Sequence, residues 1–291
     1  MIVSDKWKDY ELIDASDGER LERWGKYILV RPDPQGIWKG AKESPLWKKA
    51  DAEYSRSRSG GGNWSKNALP ESWNINYGKM TFKLKAMSFK HTGLFPEQAA
   101  NWDYVADLIK SAGSGVKVLN LFAYTGAASV ACAAAGASVC HVDASKGMVA
   151  QAKENAALSG LSNAPIRYIV DDCKKFIERE IRRQNKYDVI ILDPPSYGRG
   201  PSGELWKLED SVDELVGLCM KLFSDKPLAV IYNSYTTGLS ASSVAALLAV
   251  NARRANFNNF KIHADEVGLP ISVKKVALPC GAVARLEFEN N

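Results

Sequence analysis

Four short stretches of this chain, each following a run of apolar residues, hold side chains able to do chemistry. The most specific is Asp193-Pro194-Pro195-Ser196-Tyr197, directly after Val189-Ile190-Ile191-Leu192. A carboxylate at the mouth of a strand can receive the protons of an amino group. The two prolines lack N–H groups and stiffen the loop. Their carbonyls therefore keep fixed directions and can accept from the same amine, while Tyr197 offers a flat face on which a planar group can stack. A rigid strand terminator would also use Asp-Pro-Pro, but it accounts neither for the apolar strand nor for three companion loops. In Asn120-Leu121-Phe122-Ala123-Tyr124-Thr125-Gly126, Gly126 permits a tight turn and close approach of a ligand, and the helix that follows presents free N–H groups. This loop departs from the Gly-x-Gly-x-x-Gly of dinucleotide dehydrogenases. Asp143, 17 residues after Gly126 and followed by Ala144, can accept bonds from both hydroxyls of a ribose. The alternative is that it caps the helix through Met148, a job Ser145 does equally well. In Asp171-Asp172-Cys173 one aspartate can accept the amino group of an adenine while the other caps the next helix. Asp172 is expected to face the ligand, with Cys173 offering its backbone N–H.

Such loops need a scaffold that brings strand ends together. From about residue 96 the chain supplies one. Pro96 opens a helix at its first position, with Ala99, Trp102, Val105, Ala106 and Ile109 on one face. Strands then alternate with helices: Val116–Phe122, Ser138–Asp143, Ile166–Val170, Tyr187–Leu192 and Leu228–Tyr232 as strands, Ala127–Ala135, Lys146–Leu158, Cys173–Arg183, Trp206–Phe223 and Val244–Ala255 as helices. Two further β runs, Lys261–Val267 and Val283–Phe288, close the chain. The alternation implies a doubly wound parallel α/β sheet, in which ligands bind outside the C-terminal strand ends. All four loops lie at such ends. Residues 1–90 instead read as a smaller β-rich N-terminal domain of short strands and turns. Tyr27–Val30 is stopped by Arg31-Pro32-Asp33-Pro34, and Met80–Ala86 alternates apolar with polar. Between them lies the cationic loop Ser57-Arg58-Ser59-Gly60-Gly61-Gly62-Asn63.

Composition excludes several classes. At 291 residues, 46% hydrophobic and 24% charged, the chain has material for one large domain or two small ones. No apolar run approaches the roughly 18 residues of a membrane helix, and the charged N-terminus lacks a secretory signal. Five cysteines without a Cys-x-x-Cys pair form neither a disulfide framework nor a zinc site, and the expectation is a reduced, cytoplasmic protein. Of the net charge of +5, about four charges fall in residues 1–100, which hold 17 Lys and Arg against 13 Asp and Glu. Seven of the eight tryptophans precede residue 103. Rings interleaved with cations are either a nucleic-acid surface, with the Arg56/Arg58 loop its best candidate, or the core of a small β-domain.

The set Asn120–Gly126, Asp143, Asp172 and Asp193-Pro194-Pro195-Ser196-Tyr197 resembles the class I S-adenosylmethionine-dependent methyltransferases. Lys90-His91-Thr92-Gly93-Leu94-Phe95-Pro96-Glu97-Gln98, followed by Asn120–Gly126, is similar to the ribosomal RNA large-subunit methyltransferases of cytosine or guanine, which carry Lys-Thr-Gly before Phe-x-Tyr-Thr-Gly. The likeness covers about residues 90–291. It implies a Rossmann-like seven-stranded methyltransferase sheet, last strand antiparallel, in a methyltransferase domain over 91–291 that uses S-adenosyl-L-methionine on RNA. Residues 1–90 would be a domain for RNA binding or substrate recognition. By resemblance, Phe122, Ala123, Tyr124, Thr125 and Gly126 surround the methionine end of the cofactor. Asp143 and Ala144 lie at the ribose, Asp172 and Cys173 at the adenine, and Phe95 and Gln98 close over the cofactor. Asp193, Pro194, Pro195 and Tyr197 face the methyl group and its acceptor. Methylation of cytosine carbon 5 needs a cysteine nucleophile, which related enzymes carry after Asp-Pro-Pro or after the fifth strand. Here those segments read Asp193-Pro194-Pro195-Ser196 and Asn233-Ser234-Tyr235-Thr236-Thr237, without cysteine, and Cys280 reads as structural. An exocyclic nitrogen needs no covalent intermediate, so it is the preferred acceptor. A protein or small-molecule methyltransferase and a non-enzymatic RNA-binding scaffold are the rival readings.

Overall fold

The computed structural model describes residues 1–57, 61–199, 205–236 and 238–289. Arg58 and Thr237, singled out above, lie outside the described residues. The chain divides into two compact units, Met1–Ala100 with Val267–Cys280 and Asn101–Glu266 with Gly281–Asn291. The division is not contiguous: residues 91–100 and 267–280 group with the N-terminal residues.

The first unit is built from short strands: β1 (Ile2–Val3), β2 (Tyr10–Ser16), β3 (Glu19–Trp24), β4 (Tyr27–Pro32), β5 (Ala52–Arg56) and β6 (Gly62–Asn67). A separate hairpin joins β7 (Trp73–Tyr77) to β8 (Met80–Leu84). Asp17 and Gly18, at φ 57° and 77°, turn β2 into β3 with Ser16 opposite Glu19, the Asp-Gly solution that matches strand twist. β4 runs on to Pro32, beyond the expected stop at Val30. Pro32 faces Glu19 of β3, while β5 pairs only with Leu29 and Val30, so its missing N–H breaks no second ladder. The tryptophans serve this unit internally. Trp24 is buried, and the indole N–H groups of Trp7, Trp38, Trp47 and Trp64 donate to Pro96 O, Ala15 O, Asp14 Oδ2 and Met87 O.

The second unit contains α1 (Ala99–Ala112), β9 (Lys117–Leu121), α2 (Ala127–Ala134), β10 (Ser138–Asp143), α3 (Lys146–Leu158), β11 (Ile166–Val170), α4 (Cys173–Arg182) and β12 (Val189–Leu192). The hairpin β13 (Tyr197–Arg199) and β14 (Leu205–Lys207) follows. After it come α5 (Leu208–Met220), β15 (Ala229–Ser234), α6 (Ala241–Arg254), β16 (Phe260–Ile271) and β17 (Val276–Phe288), though Ala99 and Ala100 of α1 and the stretches of β16 and β17 within residues 267–280 group with the first unit. The seven strands lie in the order β11-β10-β9-β12-β15-β17-β16. The first five are mutually parallel, and β17 runs antiparallel to β15. This is the seven-stranded sheet that the resemblance implies. Leu119, Val142, Ile190, Leu192, Val230 and Leu286 fill its core between strands and helices, which is why the central strands β12 and β15 read as apolar runs.

Two elements differ from their sequence reading. Trp206 begins no helix; it sits in β14 and α5 starts at Leu208. Its indole donates to Pro195 O at 2.6 Å and Leu208 N donates to Ser196 O at 3.1 Å, so the loop before it captures the segment. Pro96–Gln98 form a tight 3₁₀ turn before α1 rather than its first residues.

Candidate active site

Register brings the four loops to one edge. Leu121 pairs with Val142 and with Leu192, and Leu192 with Tyr232, so one row crosses the sheet. One residue beyond it lie Phe122, Asp143, Asp193 and Asn233. The C-terminal strand edge is where such sheets bind ligands.

The Phe122–Gly126 loop is held in an uncommon backbone. Phe122, Tyr124 and Gly126 have φ 55°, 51° and 82°. For the two non-glycine residues this left-handed conformation costs about 1–3 kcal/mol each, a strain that persists only where surroundings enforce it. Here they do. Asp143 Oδ2 accepts from Tyr124 N at 2.8 Å, Cys173 Sγ from Phe122 N at 3.3 Å, and Thr125 O from Asn155 Nδ2 at 2.8 Å. A Cβ on Gly126 would stand 2.6 Å from Ala152 Cβ, so both its φ and its contact with α3 require glycine.

Asp143 does not cap α3. Ser145 does, accepting from Met148 N, while Asp143 Oδ1 accepts from Ser145 N at 2.8 Å. Each carboxylate oxygen thus spends one lone pair on a backbone N–H and keeps capacity for another donor. Burial pushes its carboxyl above the usual range; Ala144 beside it is exposed. At the next strand the expected roles are exchanged: Asp172, expected to face the ligand, caps the helix, with Oδ1 accepting from Lys175 N at 2.9 Å, while Asp171, left to cap it, pairs with Arg179. The cap uses one oxygen of Asp172. Cys173 is buried with its thiol turned to Phe122.

The Asp193–Tyr197 loop is pinned at three points. Ser196 Oγ lies 2.7 Å from Thr236 Oγ1, and Pro195 O and Ser196 O accept from Trp206 Nε1 and Leu208 N. The Pro195 carbonyl, expected to await an amine, is therefore engaged by Trp206. Pro194 is buried, and Tyr197 is 58% exposed. The Trp206 ring lies 5.5 Å from Phe122, joining the first and fourth loops. Phe95 and Gln98 belong to the first unit, where the Phe95 ring lies 5.1 Å from His91 and Gln98 is buried.

A family model described as S-adenosylmethionine-dependent methyltransferase matches residues 51–208, more than half of the chain. The chain belongs to this family. A solved S-adenosylmethionine-dependent methyltransferase from Agrobacterium tumefaciens is 36% identical, with a TM-score of 0.91 over 98% of this chain and 92% of that one. Among curated proteins, the ribosomal RNA large subunit methyltransferase K/L of Shewanella frigidimarina is 37% identical over 155 residues, 53% of this chain and 21% of that protein. Its Shewanella baltica counterpart is 32% identical over 201 residues, 67% of this chain and 25% of that protein. The chain thus spans a fifth to a quarter of the length of these relatives. The family is one of methyltransferases that depend on S-adenosylmethionine. Among the described residues no helix is long and apolar enough to cross a membrane.

Several residues of this methyltransferase escaped the sequence reading. Trp206 carried a signal, as the single tryptophan after residue 102. Tyr232 and Asn233, buried at the end of β15, carried none beyond their place after an apolar strand. His141, buried under Gly126, contacts Ser129 Oγ through Nδ1 at 3.0 Å, and burial holds its imidazole down at about 4. The folded protein keeps it neutral, whereas the unfolded chain takes up a proton near 6.5. Its contribution is thus present above pH 6.5 and lost as pH falls toward 4, on the order of 3 kcal/mol at most. Denaturant unfolding from pH 7 to 4 should show this loss, with a shallower slope for His141→Gln. An unchanged slope in that variant would refute the assignment.

Proposed function

We propose that this methyltransferase transfers the methyl group to a base of ribosomal RNA, at an exocyclic nitrogen. The carrying observation is the Asp193–Tyr197 loop, fixed at three points with an exposed aromatic ring beside a strand-end carboxylate. A flipped base stacked on Tyr197 would place its amine at Asp193 and the Pro194 carbonyl. Alignment and charge stabilisation then suffice, since an amine needs no covalent activation. Burial pushes the thiols of Cys132 and Cys140 up to about 12 and about 11, and those of Cys173, Cys219 and Cys280 upward too. A thiol held protonated is a poor nucleophile, which disfavours attack on carbon 5 of cytosine. The names of the Shewanella relatives support RNA as the substrate.

When bound, the cofactor supplies a methyl group activated by its sulfonium. In this reading Asp143, beside Ala144, takes the ribose hydroxyls on its remaining lone pairs. Asp172 takes the adenine amine on the oxygen its cap leaves over, next to the Cys173 N–H, and the Phe122–Gly126 loop encloses the methionine end. Titration calorimetry with S-adenosylmethionine should give micromolar binding, about −8 kcal/mol, that disappears in Asp143→Ala; retained affinity in that variant would remove the ribose assignment. The substrate is tested with methyl-tritiated cofactor and large-subunit ribosomal RNA, digested to nucleosides. Label on an exocyclic nitrogen is expected, with RNA affinity that falls steeply with salt and weakens when exposed Arg56 is replaced by alanine. Label confined to protein or small molecules would overturn the RNA reading.

A further inference from the structure

A chain of side chains behind the strand ends fixes which way one buried amide faces. Arg285 Nε and Nη2 lie 3.0 and 2.6 Å from the amide oxygen of Asn101. A guanidinium has donors only, so the Asn101 atom facing it must be the oxygen. The nitrogen of Asn101 therefore points the other way, and it donates to the amide oxygen of Asn233 at 2.8 Å. That bond in turn leaves Asn233 presenting its NH₂. The orientation follows from donor and acceptor chemistry, not from telling nitrogen from oxygen by position. Arg285 is itself fixed, its guanidinium 4.2 Å from the centroid of the Tyr104 ring, whose hydroxyl donates to Glu287 at 2.7 Å.

The amide so oriented stands at the site. Leu192 and Tyr232 are partners in β12 and β15, and the next residues of these neighbouring strands are Asp193 and Asn233. Asn233 is 3% exposed, and among the described residues its amide nitrogen has no hydrogen-bond partner. A donor carried by the residue beside Asp193 on the neighbouring strand, the two backbones about 4.8 Å apart, makes with that carboxylate a donor–acceptor pair. An exocyclic amine and the ring nitrogen or carbonyl beside it form the complementary pair.

We infer that Asn233 is a specificity-determining residue, donating to the ring nitrogen or carbonyl oxygen adjacent to the amine at Asp193, with Asn101 and Arg285 as the positioning residues that hold it donor-outward. The inference rests on the base-methylation reading above. Its consequence is an unusual order among variants. In Asn233→Asp the carboxylate still accepts from Asn101 but turns a second acceptor toward the base. In Asn101→Asp the carboxylate still accepts from Arg285 and also accepts from the Asn233 nitrogen, so Asn233 turns its oxygen outward. Both should lose about 100-fold in kcat/KM on ribosomal RNA, since a site that faces acceptor with acceptor discriminates strongly. Asn233→Ala, which removes the group without reversing it, should lose only about tenfold. Calorimetric affinity for S-adenosylmethionine and melting temperature should stay near wild type in both aspartate variants. A purely structural role predicts the reverse, with alanine the worst because it strands the Asn101 donor. If wild type is active and Asn233→Asp lies within threefold of it, or alanine is the more damaging, the donor assignment fails alone. If wild type transfers nothing to RNA, the base-methylation reading falls and takes the inference with it.

Discussion

Asp193→Asn should lower methyl transfer by about 10³-fold while leaving S-adenosylmethionine affinity within a few-fold of wild type. The substitution keeps the volume of the side chain at the end of β12 and the pinned loop after it. It replaces one of two acceptor oxygens by a donor, in the place where an amine must shed positive charge as it is methylated. Charge stabilisation aimed at developing charge in a dehydrated site is among the larger catalytic terms. Loss of the Tyr197 stacking face, by contrast, forfeits about 1–3 kcal/mol, and Tyr197→Phe should cost still less because the face survives. Single-turnover transfer at saturating cofactor, with calorimetry on the same preparations, separates these effects. Transfer by Asp193→Asn within tenfold of wild type would remove the carboxylate from the chemistry. RNA binding without any transfer by wild type would favour the scaffold reading.

The central strands β12 and β15 were legible because burial on both faces makes them apolar runs, and β10, α3 and β11 begin and end where the sequence pattern places them. Their loops could be collected as one site before any register was known, since a doubly wound sheet carries its ligand loops at one edge. Features decided by tertiary capture were not legible. Trp206 looked like the opening of an amphipathic helix. Three-residue strands give no periodic signal, and only the Pro195 carbonyl makes β14 out of it. The choice between Asp171 and Asp172 turned on Arg179, one helical face away. The Asn101–Asn233 bond joins residues 132 apart, and the Arg285–Asn101 pair residues 184 apart. No local pattern encodes such partners. Residues 267–280 returning to the first unit have the same cause: Lys274 Nζ reaches Asp14 Oδ1 at 2.7 Å, a pairing across nearly the whole sequence.

That first unit holds the second large expected effect. Glu22 is fully buried, and Arg31 grips it with two bonds, Nε to Oε2 at 2.6 Å and Nη2 to Oε1 at 2.7 Å. Oε1 also accepts from the Tyr10 hydroxyl at 2.8 Å and lies 3.3 Å from Arg20 Nε. Burial alone would raise this carboxyl, but Arg20 and Arg31 overcome it and hold it near 2. Its folded value lies below its unfolded one, so its stabilisation is present above about pH 4.5 and lost as pH falls toward 2. Glu22→Gln leaves the buried Arg31 guanidinium without its anion and Arg20 with Asp33 alone, which should destabilise the protein by about 3–5 kcal/mol. Urea unfolding at pH 7 measures it, and a loss below 1 kcal/mol would mean that the guanidiniums find other partners. Glu22→Gln combined with Arg31→Met should recover part of the loss, because the second substitution removes the buried charge that the first leaves unpaired. The defect would also reach the Lys90-His91 segment. Arg31 Nη1 donates to Lys90 O at 2.9 Å, and Lys90 Nζ to Pro32 O at 3.3 Å. The Lys-His-Thr-Gly stretch that marks the family likeness is thus held to β4 through the same arginine. Amide hydrogen exchange at residues 90–93 should therefore rise in Glu22→Gln, and less so in the double variant if the charge, not the lost contact, is the cause.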